Sequence, residues 1–300
     1  MNSWLFFALS GPLLWAFTNI FDGALRKNFI KNELALTWLS AAIRLPFVIL
    51  FFLISGFSFP GAYAFAGIFI AGLLWTLPMY FYYKALEAED PSRISLLMQL
   101  VPIFTLPMAH FAINEKLSSF QICAFVILIF AGVFASLKKM PAGWRFSKAF
   151  FLIALSCLLW ASSDVLFKKF ATAFPDYLSA FSVDILGAFM ASFLLFLMPK
   201  NRIKVFESVR GTPLKAWLLV IASATLGIIG GLSFTYALTL GKVSLTSVLI
   251  GTQPLFVLIV GLLLSRFIRG LSKEDLGKEA LIAKAVSFVL VIVGLIFLQM

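Results

Sequence analysis

Leu13-Leu14-Trp15-Ala16-Phe17-Thr18-Asn19 returns 145 residues later as Leu158-Leu159-Trp160-Ala161-Ser162-Ser163-Asp164. Each copy is an apolar run ending in Trp, followed three and four residues on by a small hydroxyl residue and an Asn or Asp. A polar amide or acid inside such a run is costly, so its return at the matching place predicts a duplicated site.

Around these two copies the chain is almost continuously apolar. Of its 300 residues 62% are hydrophobic and only 12% charged, against roughly 25% charged in a soluble domain. It reads as an integral membrane protein, all-α, with no room for a large soluble domain. Apolar windows predict ten transmembrane helices, at about 3–22, 34–55, 62–84, 92–113, 118–137, 149–170, 177–198, 214–238, 243–265 and 281–299. The basic stretch Lys138-Lys139-Met140-Pro141-Ala142-Gly143-Trp144-Arg145 divides them into two sets of five, residues 1–143 and 144–300.

Further internal matches support the division. Tyr83-Lys84-Ala85-Leu86 and Pro102-Ile103-Phe104 realign with Thr235-Tyr236-Ala237-Leu238 and Pro254-Leu255-Phe256 at an offset of 152, and Ile129 to Val133 with Val291 to Leu295 at 162. Five spans is an odd number, so the second copy must enter the membrane from the opposite side. An inverted-topology repeat about an axis in the membrane plane follows.

The net charge of +11 lies mainly in connections beside apolar spans, where Lys and Arg set topology and meet anionic lipid; it does not point to nucleic acid. With this span assignment 19 Lys and Arg fall on one face and four on the other. The basic face is then cytoplasmic, in a cell (inner) membrane, with both termini outside. Cys123, Cys157 and the lone His110 provide no metal set and no nucleophilic dyad, and no cofactor motif is seen.

The Trp, hydroxyl and Asn or Asp pattern in the first helix of each half, Ala41-Ala42-Ile43-Arg44 in the second span, the Y-x-A-L motif and prolines, and Asn114-Glu115-Lys116-Leu117 together resemble EamA-type members of the drug/metabolite transporter superfamily. The resemblance covers essentially the whole chain. It implies a ten-helix exporter or exchanger of small metabolites with a cavity between its halves and both termini cytoplasmic, against the charge count. A Glu that the family carries before its tenth helix is Phe267 here.

Trp15 with Asn19, and Trp160 with Asp164, share a helix face at spacing four, pairing an aromatic wall with a hydrogen-bonding group. That suits an amino acid, a similar amphiphilic metabolite or a drug; interhelical glue is the plainer reading of Asn19. A mid-helix carboxyl costs about 2.5–3.5 kcal/mol on insertion scales, so Asp164 should be protonated, paired or facing water. It is the candidate for proton coupling, with Lys168 one turn on as a partner. Trp75, Met79 and Tyr82 form an aromatic face that could equally be packing. Gln99 and Gln253 lie beside Pro102 and Pro254, where broken helices expose backbone.

Arg44 and Asp184 fall at repeat-equivalent positions and suggest a structural ion pair, with Asp22 or Glu33 as other partners for Arg44. Gly227 and Gly231 have the spacing of a close helix contact. His110 reads as a satisfied interfacial residue.

These features point to a secondary transporter working by alternating access, as monomer or homodimer. A passive channel or uniporter would show a filter-like loop or a ring of identical polar groups. A membrane-embedded enzyme would show clustered acids or histidines. Neither pattern is visible.

Overall fold

The computed structural model describes residues 3–89, 91–116, 118–140, 143–197, 199–264 and 278–299. Leu117, Pro141, Ala142 and Phe267, and the cations Arg266, Arg269 and Lys273, lie outside the described residues.

Helix α1 (Ser3–Asn28) is followed by α2 (Glu33–Ala42) with α3 (Leu45–Ser55), α4 (Ala62–Thr76) with α5 (Met79–Ala88), α6 (Pro91–Leu97) with α7 (Leu100–Ile113), and α8 (Ser119–Ser136). A hairpin of β1 (Leu137–Met140) and β2 (Gly143–Phe146) occupies the expected linker, so the all-α reading holds except there. Then come α9 (Lys148–Ala171), α10 (Tyr177–Phe196), α11 (Pro199–Val209), α12 (Leu214–Leu240), α13 (Val243–Val248), a 3-10 turn (Leu249–Thr252), α14 (Gln253–Leu264) and α15 (Lys278–Gln299). Side chains cap the starts: Asn32, Ser147 and Asp176 accept from Ala35, Phe150 and Ser179 nitrogens.

Among the described residues eight stretches are long and apolar enough to cross a membrane: Trp4–Asn28, Glu33–Ser55, Ala62–Ala88, Arg93–Ile113, Lys148–Ala171, Tyr177–Phe196, Leu214–Leu240 and Val243–Gly261. Large apolar side chains such as Leu53, Tyr63 and Phe111 point outward, as lipid requires. The chain is a multi-pass membrane protein.

Two boundaries differ from expectation. The first helix runs on to Asn28, because Arg26 is buried and satisfied by Glu33, Glu87 and the Tyr83 carbonyl. The basic connection after Phe196 contains α11, a helix with Ile203 and Phe206 exposed beside Lys200, Arg202 and Lys204, the composition of an interfacial helix.

Four spans are broken, each next to a proline: at Ile43–Arg44, Leu77–Pro78, Met98–Gln99 and Leu249–Thr252. Pro102 cannot donate to the Met98 carbonyl, and Val101 takes that acceptor instead; Gln253 does the same for Pro254, bonding the Ile250 carbonyl. The two breaks are therefore repeat-equivalent.

Packing runs largely between the two halves of the sequence. Helix α1 lies along α12, α9 lies against α4 and α5, and α8 packs with α15. Helices α4 and α10 are pressed together at two glycines. A Cβ at Gly72 would stand 1.9 Å from the Asp184 carbonyl oxygen, and one at Gly187 would stand 2.1 Å from that of Phe69. The pair at equivalent positions, α12 with α2 and α3, barely touches. The Gly227 and Gly231 spacing is not a close contact: the nearest atom to a Cβ at Gly227 is 3.8 Å away, and nothing lies within 4 Å at Gly231. Both face cavities instead, and the tight position on α12 is Gly230, against Trp15.

Candidate functional site

The helix breaks and the two tryptophan helices converge on one cavity of about 90 Å³. Its aromatic wall is Trp15, Trp75 and Trp160, with ring centroids 5.3 Å apart for the first pair and 6.4 Å for the second. Tyr82 adjoins Trp160 at 6.1 Å.

Each repeated tryptophan reaches into the opposite half. Trp15 Nε1 donates to the Gly227 carbonyl at 3.3 Å, and Trp160 Nε1 to the Trp75 carbonyl at 2.9 Å. Residues 75 and 227 are themselves separated by the repeat offset of 152, so the two hydrogen bonds are counterparts.

Polar groups enter between the rings. Asn19 and Asp164 are buried, and among the described residues Asn19 Nδ2 and Asp164 Oδ1 have no hydrogen-bond partner, although both side chains line the cavity. A buried polar atom left unpaired costs about 1–3 kcal/mol. Two side chains of the cavity lining thus carry an unpaired amide nitrogen and an unpaired carboxyl oxygen. Arg44, Ser40, Asp22 and Ser223 complete the polar lining, on the side where α1 ends and α12 begins, in the gap between α2 and α12.

Seven sequence-predicted residues, Trp15, Asn19, Trp75, Tyr82, Trp160, Asp164 and Gln253, meet at this cavity. Gln99 does not. It is buried against the 3-10 turn near Gly251, with both side-chain polar atoms unpartnered among the described residues. Asp22, Thr18, Ser40, Tyr83 and Ser223 also line the cavity. Asp22 was hidden at the predicted end of the first span, and the continuation to Asn28 is what places it inside.

Two expected pairings are not made. Arg44 and Asp184 share an adjoining smaller cavity, but no nitrogen to oxygen contact within 4.0 Å joins them among the described residues; Arg44 Nε is held by the Ser40 carbonyl at the break. Nor does Lys168 reach back to Asp164. Its Nζ donates to the carbonyls of Leu238 at 2.6 Å and Gly241 at 2.8 Å, capping α12. Glu115 accepts from the Val243 nitrogen at 2.8 Å and from Ser244, so the turn between α12 and α13 is tied to α9 and to the end of α7. These bonds tie together the ends of α7, α9 and α12, away from the polar lining. His110 is exposed and bonded to the Glu115 carbonyl.

No curated protein matches the chain. A solved structure, described only as a crystal structure of protein, is similar in fold, with a TM-score of 0.62 at 17% identity over 100% of this chain and 98% of that one. The model of the EamA-like transporter family matches residues 2–137 and again 147–300, and with nearly its whole length covered the chain belongs to the EamA-like transporter family.

Proposed function

We propose that the protein is a secondary active transporter that carries a small amphiphilic metabolite, an amino acid or similar solute, through the Trp15, Trp75 and Trp160 cavity by alternating access. The observation that carries this reading is the cavity itself: aromatic walls, one free donor and one free acceptor, lying between two halves of one chain. Two five-helix repeats, 1–143 and 144–300, are favoured by the paired family matches and by the counterpart bonds of Trp15 and Trp160. The fifth and tenth spans of this scheme are α8 and α15. The charge bias assigns the basic connections to the cytoplasm of a cell (inner) membrane. Substrate contact falls to Trp15, Asn19, Trp75, Tyr82, Trp160, Asp164 and Gln253, and membrane lipid surrounds the chain.

The tight α4 and α10 crossing beside the loosely packed α2 and α12 favours a rocking carrier over a passive channel. Saturable counterflow of amino acids in proteoliposomes tests this. Gly227→Leu should reduce it at least about tenfold with folding intact, because the added side chain enters the cavity from a position with room for its Cβ. Non-saturable flux, or flux unchanged by that substitution, would remove the carrier assignment to this cavity.

A further inference from the structure

We propose that Asp22, Tyr82 and Asn19 form a proton-operated switch that sets whether the cavity offers its solute a hydrogen-bond donor or an acceptor. The inference rests on the cavity being the solute site, as proposed above. The Tyr82 hydroxyl lies 2.8 Å from Asn19 Oδ1 and 3.3 Å from Asp22 Oδ2, while Ser223 Oγ donates to Asp22 Oδ1 at 2.6 Å. One hydroxyl carries one proton and cannot serve both acceptors.

The proton inventory allows two arrangements. With Asp22 ionised, its carboxylate accepts the Tyr82 hydrogen bond, and Asn19 can bond the hydroxyl only by donating from Nδ2, which turns its carbonyl oxygen toward the cavity. When a proton from the aqueous mouth joins Asp22, the carboxylic acid donates to Tyr82, Tyr82 donates to the Asn19 carbonyl, and Nδ2 is left unpaired in the cavity wall, where a solute that enters between the rings can meet it. Asn19 Nδ2 is buried without a partner, as in the second arrangement. The two ends of a side-chain amide exchange by rotation about one bond, so no backbone need move.

The groups facing Asp22 suit this role. On its own helix Arg26 is engaged by Glu33, Glu87 and the Tyr83 carbonyl; on α5 it meets Tyr82 and Tyr83; α12 contributes Ser223 and the ninth span Gln253, both neutral; Arg44 stands across the cavity. Among the described residues no cation lies within 4.0 Å of its carboxyl. The switch also has no counterpart. At the repeat offsets of 145 and 152, the places of Asp22, Tyr82 and Ser223 are held by Phe167, Phe234 and Ala71. Asp164 holds the place of Asn19 without a hydroxyl chain behind it.

Two measurements on the reconstituted full chain test the proposal. In acid-minus-alkaline infrared difference spectra, a protonated-carboxyl band should vanish in Asp22→Asn and shift in Tyr82→Phe. In thermal stabilisation titrations between about pH 6 and pH 8.5, where 3-phenylpropionate stays a carboxylate that can only accept and 2-phenylethylamine an ammonium that can only donate, wild type should favour the first at the acid end and the second at the alkaline end, with relative affinity changing about tenfold. Tyr82→Phe and Asn19→Ala should flatten that change while the Asp22 band persists. A carboxyl band unmoved by Tyr82→Phe overturns the switch even if both probes bind. Shifted bands with no stabilisation by either probe uphold the proton chain and instead overturn the cavity as the solute site.

Discussion

Replacing Gly72 by leucine is expected to abolish counterflow. The reason is the backbone contact between α4 and α10: a Cβ at this position would lie 1.9 Å from the Asp184 carbonyl oxygen and 2.8 Å from the Ala188 nitrogen. Neither atom belongs to a flexible side chain, so relief requires the helices to separate. Ordinary overpacking costs about 1–3 kcal/mol, and an overlap with main chain exceeds it. Under the proposed mechanism the substitution prevents closure on the side where Lys168 sits. Gly231→Ala, with nothing within 4 Å, is the control and should leave counterflow unchanged. Counterflow at the wild-type rate in Gly72→Leu would mean that this crossing is not part of the working cycle.

The second large effect is expected at Lys168. Its ammonium holds two carbonyls at the end of α12 at short distance, while Glu115 holds the start of α13. Hydrogen bonds to charged groups contribute about 1.5–3 kcal/mol when shielded from water, and Lys168 is only half-buried. Lys168→Met should therefore shift the equilibrium by about 2 kcal/mol, roughly 30-fold, toward opening on that side. Labelling of Gly231→Cys, in a background lacking Cys123 and Cys157, by an impermeant maleimide applied from the Lys168 side should accelerate by that factor. Unchanged labelling would show that closure does not depend on this latch.

Much of the membrane fold was legible in the sequence because hydrocarbon demands long apolar runs, and the eight crossing stretches fall where such runs were read. Two of the four breaks were legible from Pro102 and Pro254, whose missing N–H groups redirect carbonyls by known rules. Side-chain partners were not. Spacing alone made Lys168 a neighbour of Asp164, yet a long flexible side chain reaches the end of another helix as easily as its own. Arg26 looked like a connection residue because charges usually end spans; only the three acceptors around it let the helix continue. The repeat made Asp164 the exceptional carboxyl, whereas the developed polar network surrounds Asp22, with phenylalanines at the matching places for Asp22 and Tyr82.

The tryptophan wall makes the protein its own optical reporter. Three of its seven tryptophans surround the cavity within 6.4 Å of a neighbouring ring, while Trp4, Trp38 and Trp217 do not line it. Indoles this close exchange excitation, so a solute that enters between them alters the emission of all three together. Selective replacement of the distant tryptophans by phenylalanine would leave a spectrum dominated by the cavity, and loading could then be followed in unlabelled protein during a single turnover.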